Sequence, residues 1–157
     1  MSSISDGFNM EKATFAAGCF WGVEETFDGL KGVISTRVGY SGGAAPDPTY
    51  KNVCTGDTGH AEVVEITYDP QEISYEKLLE IFWKSHDPTT LNRQGPDKGT
   101  QYRSAIFTHS AEQEKLARSS MEKMASHFDK PIVTQIVSAK AFYEAEEYHQ
   151  KYFKKNQ

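Results

Sequence analysis

Apolar and β-branched residues occur along this chain in short runs parted by turn residues, the pattern of strands interleaved with amphipathic helices. The first run, residues 12–17, predicts a strand that passes through Gly18 into a helix starting at Cys19 and ending near Asp28 and Gly29. Val33, Ile34, Thr36 and Val38 make residues 33–40 a second strand, broken by the glycine- and proline-rich loop 41–48. Residues 61–68 alternate well enough for a third strand ending at Asp69 and Pro70, with a charge, Glu62, inside it. Ser74 stands where it can cap a helix whose apolar face is Leu78, Leu79, Phe82 and Trp83. An irregular stretch, residues 86–99, has a length at which loops are usually functional or mobile. A strand at 104–108, a long amphipathic helix led by Ser110 and reaching Met124, and a strand at 132–137 follow. Residues 142–149 bring aromatic and acidic side chains at helical spacing. This order predicts an α+β sandwich in which helices cover one face of a mixed sheet. No repeat, low-complexity tract or linker divides the chain, so residues 1–157 are expected to form a single catalytic domain, with 1–10 as a loose N-terminal extension.

Composition narrows the function classes. A chain of 157 residues with 38% hydrophobic and 25% charged positions has the make-up of an ordinary globular domain, not a disordered tail. The net charge of −5 gives no reason to expect a nucleic-acid partner. Neither a long apolar window nor a basic-then-apolar N-terminus is present, so the expected location is cytoplasmic, with no membrane partner. Two cysteines, Cys19 and Cys54, are too few for a disulfide framework and suit a compartment where a thiol does chemistry. The five histidines lack metal-ligand spacing, and loop 41–48 has neither the P-loop ending nor a dinucleotide fingerprint. The expectation is no metal and no bound cofactor.

Gly18-Cys19-Phe20-Trp21-Gly22 carries the candidate chemistry. A cysteine at a helix N-terminus meets unpaired N–H groups and the helix dipole, which favour the nucleophilic thiolate. The aromatic rings of Phe20 and Trp21 supply an apolar wall for a small hydrophobic group. Polar residues in unexpected places complete a possible site: Tyr50 at the end of the glycine-rich loop, Glu62 within an apolar strand, and Asp97 and Tyr102 flanking the second loop. A buried Glu62 would hold a proton at neutral pH and act as general acid. Two phenols can donate to a substrate oxygen without adding charge. Sulfur nucleophile, apolar wall, acid and phenols suit a polarised X=O group with a small apolar substituent, and a sulfoxide fits better than an ester. A cysteine hydrolase or acyl transferase using Cys19 with His60 as base remains open, as does a non-catalytic module that binds methionine.

The ordered motifs, taken together, resemble the A-type peptide methionine sulfoxide reductases. They are the Cys19 segment, Gly39-Tyr40-Ser41-Gly42-Gly43, Pro48-Thr49-Tyr50 with Val53-Cys54-Thr55-Gly56, Thr58-Gly59-His60-Ala61-Glu62-Val63, His86-Asp87-Pro88-Thr89, Asn92-Arg93-Gln94-Gly95, and Asp97-Lys98-Gly99-Thr100-Gln101-Tyr102-Arg103-Ser104. The resemblance implies a two-layer α/β sandwich with a ferredoxin-like core and extended wrapping segments. It implies that Cys19 attacks methionine S-sulfoxide, free or in proteins, with Glu62 protonating the oxygen and Tyr50 and Tyr102 hydrogen-bonding to it. Phe20 and Trp21 would hold the methyl group, and Asp97 would organise water near the oxygen. The product on Cys19 is a sulfenic acid, which a thiol must reduce. Many relatives carry resolving cysteines in a C-terminal tail, whereas no cysteine follows Cys54 in this sequence. Cys54 matches a cysteine that the family does not usually use as the main resolver. The expected reductant is therefore an external thiol such as glutathione with glutaredoxin, with thioredoxin kept as a poorer partner. A Cys19–Cys54 disulfide is the alternative, and it requires Cα atoms within about 7 Å.

Overall fold

In the computed structural model residues 10–156 are described; the expected N-terminal extension, apart from Met10, lies outside them. The elements are β1 (Glu11–Ala17), α1 (Phe20–Phe27), β2 (Val33–Ser41), α2 (Tyr50–Cys54), β3 (Ala61–Tyr68), α3 (Tyr75–Lys84), β4 (Arg93–Gln94), β5 (Asp97–Lys98), β6 (Ser104–Thr108), α4 (Ala111–Met124), β7 (Gln135–Ser138), β8 (Tyr143–Glu144) and α5 (Tyr152–Lys155). Six strands form one sheet in the order β7-β6-β1-β3-β2-β8, and β4 pairs with β5 apart from it. Its four central strands, β6-β1-β3-β2, are antiparallel and, with α1 and α3 as the two crossovers, form the expected ferredoxin-like core. Among the described residues only the β6–β7 pair is parallel, which makes the sheet mixed.

The two-residue period of a strand assigns the faces. Ala13, Phe15, Val38, Val64, Ile66 and Ile106 point toward the helices and join Phe27, Leu78, Leu79, Phe82 and Trp83 in the main core. The opposite face carries a smaller cluster of Ala16, Ala61, Val63, Ala105 and Phe107, covered by Val137, Ala139 and Phe142. Caps fix the helix starts: Ser74 accepts from Lys77 N–H at 3.0 Å and Ser110 from Gln113 N–H at 3.1 Å. Among the described residues no helix is long and apolar enough to cross a membrane.

Three local expectations change. Residues 142–149 are not a helix but the edge strand β8 followed by a 3-10 turn, Glu147–His149. Their spacing serves tertiary partners instead: Tyr143 lies opposite Tyr40 across the β2–β8 pair, and Arg37 stacks on Phe142 at 4.4 Å. The strand expected from Ile132 begins three residues later, at Gln135, the first residue to pair with β6. The unforeseen helix α2 starts at a capping box, in which Thr49 accepts from Asn52 N–H and the Asn52 side chain accepts from Thr49 N–H.

Candidate active site

Strands β1 and β2 end, and β3 and β6 begin, at one edge of the sheet, where Ala17 lies opposite Ser104 and Tyr40 opposite Glu62. The chain turns from β1 into α1 through Gly18 at φ +99°, and a Cβ there would stand 2.8 Å from the side chain of Gln94. Glycine therefore lets the second loop close over the cysteine. Gln94 in turn is tied to Asp87, accepting from its N–H at 2.9 Å and donating to its carbonyl at 2.8 Å. The β4–β5 hairpin that carries Gln94 and Asp97 turns at Gly95-Pro96 with Gly95 at φ +59°, the sign that a primed two-residue turn needs.

Cys19 stands at the N-cap position of α1, its side chain making no capping hydrogen bond, and is half-buried. The N–H groups of Trp21 and Gly22 act on its sulfur, yet the thiol is pushed up to about 11. Burial is the main cause, and negative charge on Glu62 and Asp97 adds to it. The expectation of a thiolate favoured by the helix terminus is thus corrected: in the unliganded site desolvation outweighs the dipole, and Cys19 is a thiol at neutral pH.

Glu62 lies in line with Val64 and Ile66 on the helix-covered face and is 1% exposed. Its Oε1 accepts from the N–H of Phe20 at 3.1 Å, which fixes the carboxyl against the first turn of α1. Its buried Oε2 has no hydrogen-bond partner among the described residues. Burial raises its pKa to about 7, with the Phe20 N–H opposing and Asp97 reinforcing the rise.

The two phenols come from different elements. Tyr50 opens α2, and its hydroxyl is raised by burial first and then by Cys54, one helical turn on. Tyr102 ends the 3-10 turn Thr100–Tyr102, and its hydroxyl is raised to about 12 by burial, then by charge on Glu62, Cys54, Asp97 and Cys19. Cys19, Glu62 and Asp97, three of the residues nominated from the sequence, thus all lie near enough to Tyr102 to act on it. Phe20 is fully buried, with Tyr40 and Tyr50 at ring distances of 5.7 and 6.4 Å, whereas Trp21 is half-buried. Cys54 is exposed, and its thiol is also raised, by desolvation first, with Tyr50 opposing and charge on Glu62 adding to the rise.

His60 does not join the cysteine as a base. Its Nδ1 accepts from Gly43 N–H at 3.0 Å and its Nε2 donates to the Ala45 carbonyl at 2.6 Å, so both ring nitrogens hold the glycine-rich loop.

Sequence reasoning missed two residues. Glu146 accepts from the Tyr40 hydroxyl at 2.9 Å and from Tyr50 N–H at 3.0 Å, anchoring the start of α2. His149 accepts from the Trp21 indole N–H at 2.9 Å. Both contacts span about a hundred residues or more of sequence, so no local pattern signals them.

The profile of the family described as "Peptide methionine sulfoxide reductase" matches residues 11–157. A relative named "Peptide methionine sulfoxide reductase MsrA", from Methanosarcina acetivorans, is 60% identical over 151 residues, covering 95% of this chain and 80% of that protein. Methionine sulfoxide reductase A of Corynebacterium diphtheriae superposes with a TM-score of 0.90 at 40% identity, covering 94% of this chain and 75% of that one. Mxr1 from Saccharomyces cerevisiae in reduced form superposes at 0.89 with 42% identity, covering 94% and 86%. The same yeast protein in complex with Trx2 superposes at 0.66 with 30% identity, covering 91% and 84%.

Proposed function

The chain belongs to the peptide methionine sulfoxide reductase family and carries out thiol-dependent reduction of methionine sulfoxide, and from that premise we propose how its residues divide the work. Cys19 is the nucleophile, Glu62 the general acid, and Tyr50 and Tyr102 the donors to the sulfoxide oxygen. Phe20 and Trp21 form the wall for the methyl group of methionine S-sulfoxide, and Asp97 sustains the proton on Glu62. The observation that carries this division is the buried Oε2 of Glu62, without a partner among the described residues, on a carboxyl whose other oxygen accepts from the N–H of the residue after Cys19.

A carboxyl raised to about 7 is half protonated near neutrality, which suits proton transfer to an oxygen that gains negative charge as its bond to sulfur weakens. A neutral Glu62 also removes the charge that opposes a Cys19 thiolate, so binding substrate against a protonated Glu62 eases activation of the sulfur. Sγ bonds to the substrate sulfur while the sulfoxide oxygen takes the Glu62 proton. The oxygen passes to Sγ, methionine leaves with two more electrons on its sulfur, and Cys19 becomes a sulfenic acid. The thiol proton returns to Glu62, so the step consumes one thiol and one sulfoxide and releases no free oxidant.

The sulfenic acid is reduced by an external thiol, and the complex of yeast Mxr1 with Trx2 supports thioredoxin in that role here, with glutathione and glutaredoxin as the other candidates. Burial and charge on Glu62 raise the Cys54 thiol, so we read Cys54 as a spectator rather than as the resolving partner. A reaction that draws on a thiol pool suits the cytoplasm, and the family match over residues 11–157 supports one catalytic domain. A single turnover without reductant tests the reading. Mass spectrometry is expected to find about one equivalent of methionine released and one oxygen gained on Cys19, with one free thiol left. Unmodified Cys19 and no methionine would overturn it; loss of both thiols would reassign Cys54 as the resolver.

A further inference from the structure

The indole of Trp21 is held at its far edge, where Nε1–H donates to Nδ1 of His149 at 2.9 Å. An indole nitrogen is only a donor, so His149 presents a lone pair on Nδ1 and carries its proton on Nε2. The ring is fully buried, and burial lowers its affinity for a second proton, which keeps the form that can accept. It stands among the aromatic residues of the site, with ring distances of 4.4 Å to Tyr50, 5.2 Å to Phe20 and 5.6 Å to Trp21.

The placement of His149 does not depend on Trp21. Just before it, Glu146 is bonded to Tyr40 and Tyr50. Just after it, the Gln150 side chain accepts from Val38 N–H at 2.9 Å and donates to Val38 O at 3.0 Å, pairing with β2 as a strand would. Lys151 N–H then donates to the buried Glu24 at 2.7 Å, and its Nζ to Thr36 O at 2.8 Å. Trp21 has a looser setting: it lies in the first turn of α1 beside the reactive sulfur, half-buried, with the Tyr152 ring stacked on it at 3.8 Å and 9°. The fixed histidine therefore orients the indole, and not the reverse.

We propose that His149 is a positioning residue for sulfoxide reduction, which sets the orientation of the apolar wall for the substrate's methyl group by accepting the Trp21 indole N–H. This rests on the reading above that Trp21 lines that pocket. His149 touches no reacting atom; it acts through Trp21.

Two variants separate acceptor from filler. His149→Phe keeps a flat ring and removes the acceptor, whereas His149→Asn puts an amide oxygen near the position of Nδ1 and keeps it. In single turnovers, the half-saturating concentration of methionine sulfoxide is expected to rise about tenfold in His149→Phe and to return within about threefold of wild type in His149→Asn, with maximal rates altered less. The indole N–H resonance, assigned by its loss in Trp21→Phe, should lie downfield in wild type and in His149→Asn and move upfield in His149→Phe. Equal kinetic losses in the two variants, or none in His149→Phe, overturn the proposal. Should His149→Phe not fold, a solvent-like shift and fast exchange of the wild-type resonance overturn it as well. If wild type itself releases no methionine, the functional reading falls and takes the proposal with it; if wild type turns over and the variants behave alike, only the proposal falls.

Discussion

Glu62 and Glu65 sit three residues apart on β3, both almost wholly buried, and the strand's alternation sends them to opposite faces of the sheet. On the outer face, Glu65 meets the guanidinium of Arg37 at 2.6 Å and Lys12 at 3.7 Å. On the helix-covered face, Glu62 meets one backbone N–H and no cation among the described residues, and its second oxygen is left bare. The buried Glu24 follows Glu65, with the Thr36 hydroxyl at 2.7 Å and Lys151 on both oxygens. Burying a carboxylate costs several kcal/mol unless a partner compensates it, so the paired glutamates are structural and the unpaired one keeps its proton instead. The difference teaches where chemistry is stored: in the carboxyl that the fold leaves unsatisfied.

The strongest way to break the comparison is to treat both residues alike. Glu62→Gln is expected to lower the single-turnover rate of methionine release by about a hundredfold or more with little change in half-saturation, while Glu65→Gln leaves the rate within about twofold, as expected for a change away from the site. Equal losses in rapid-quench assays would remove the distinction. Stability should move in opposite directions. The unfolded chain ionises Glu62 from about 4.5, whereas the folded chain holds the proton until about 7, so its contribution to stability falls as pH rises through that window. Above pH 7 the deficit is on the order of 3 kcal/mol, which Glu62→Gln relieves. Glu65→Gln should instead cost about 1 kcal/mol, because Arg37 is 42% exposed and water takes over its solvation. Urea melts at pH 8 read both.

The comparison in the sequence was only partly visible. Alternation makes residues 61–68 a strand and singles out Glu62, but alternation alone does not say which face the helices cover; that is set by the crossovers α1 and α3, which pack on the face of Val64 and Ile66. The caps Ser74 and Ser110 and the turn at Gly18 depend on neighbours within a few residues and were legible. Residues 142–149 were not, because Tyr143, Glu146 and His149 are spaced to meet Tyr40, Tyr50 and Trp21, all distant in sequence. The cysteine's protonation is not legible for a related reason: the helix terminus is a local feature, whereas burial and the charges of Glu62 and Asp97 are tertiary.

Smaller effects sharpen the account of the site's polar groups. Tyr102→Phe removes one oxygen donor and should slow methionine release about tenfold, since Tyr50 remains; a change of less than twofold would exclude Tyr102 from the oxygen site. Asp97 contributes to the raised pKa of Glu62, so Asp97→Asn should shift the basic limb of the single-turnover profile to lower pH. A limb that stays in place would detach Asp97 from that role.

The central claim is that the proton on Glu62 goes to the sulfoxide oxygen as Cys19 takes that oxygen. Its most direct test is the pH dependence of single-turnover methionine release in wild type and Glu62→Gln, followed without reductant. Wild type should lose rate as pH rises through about 7, the point at which Glu62 ionises, and the variant should be slow and lack that limb. A variant as fast as wild type, or one that keeps the same limb, would contradict the claim.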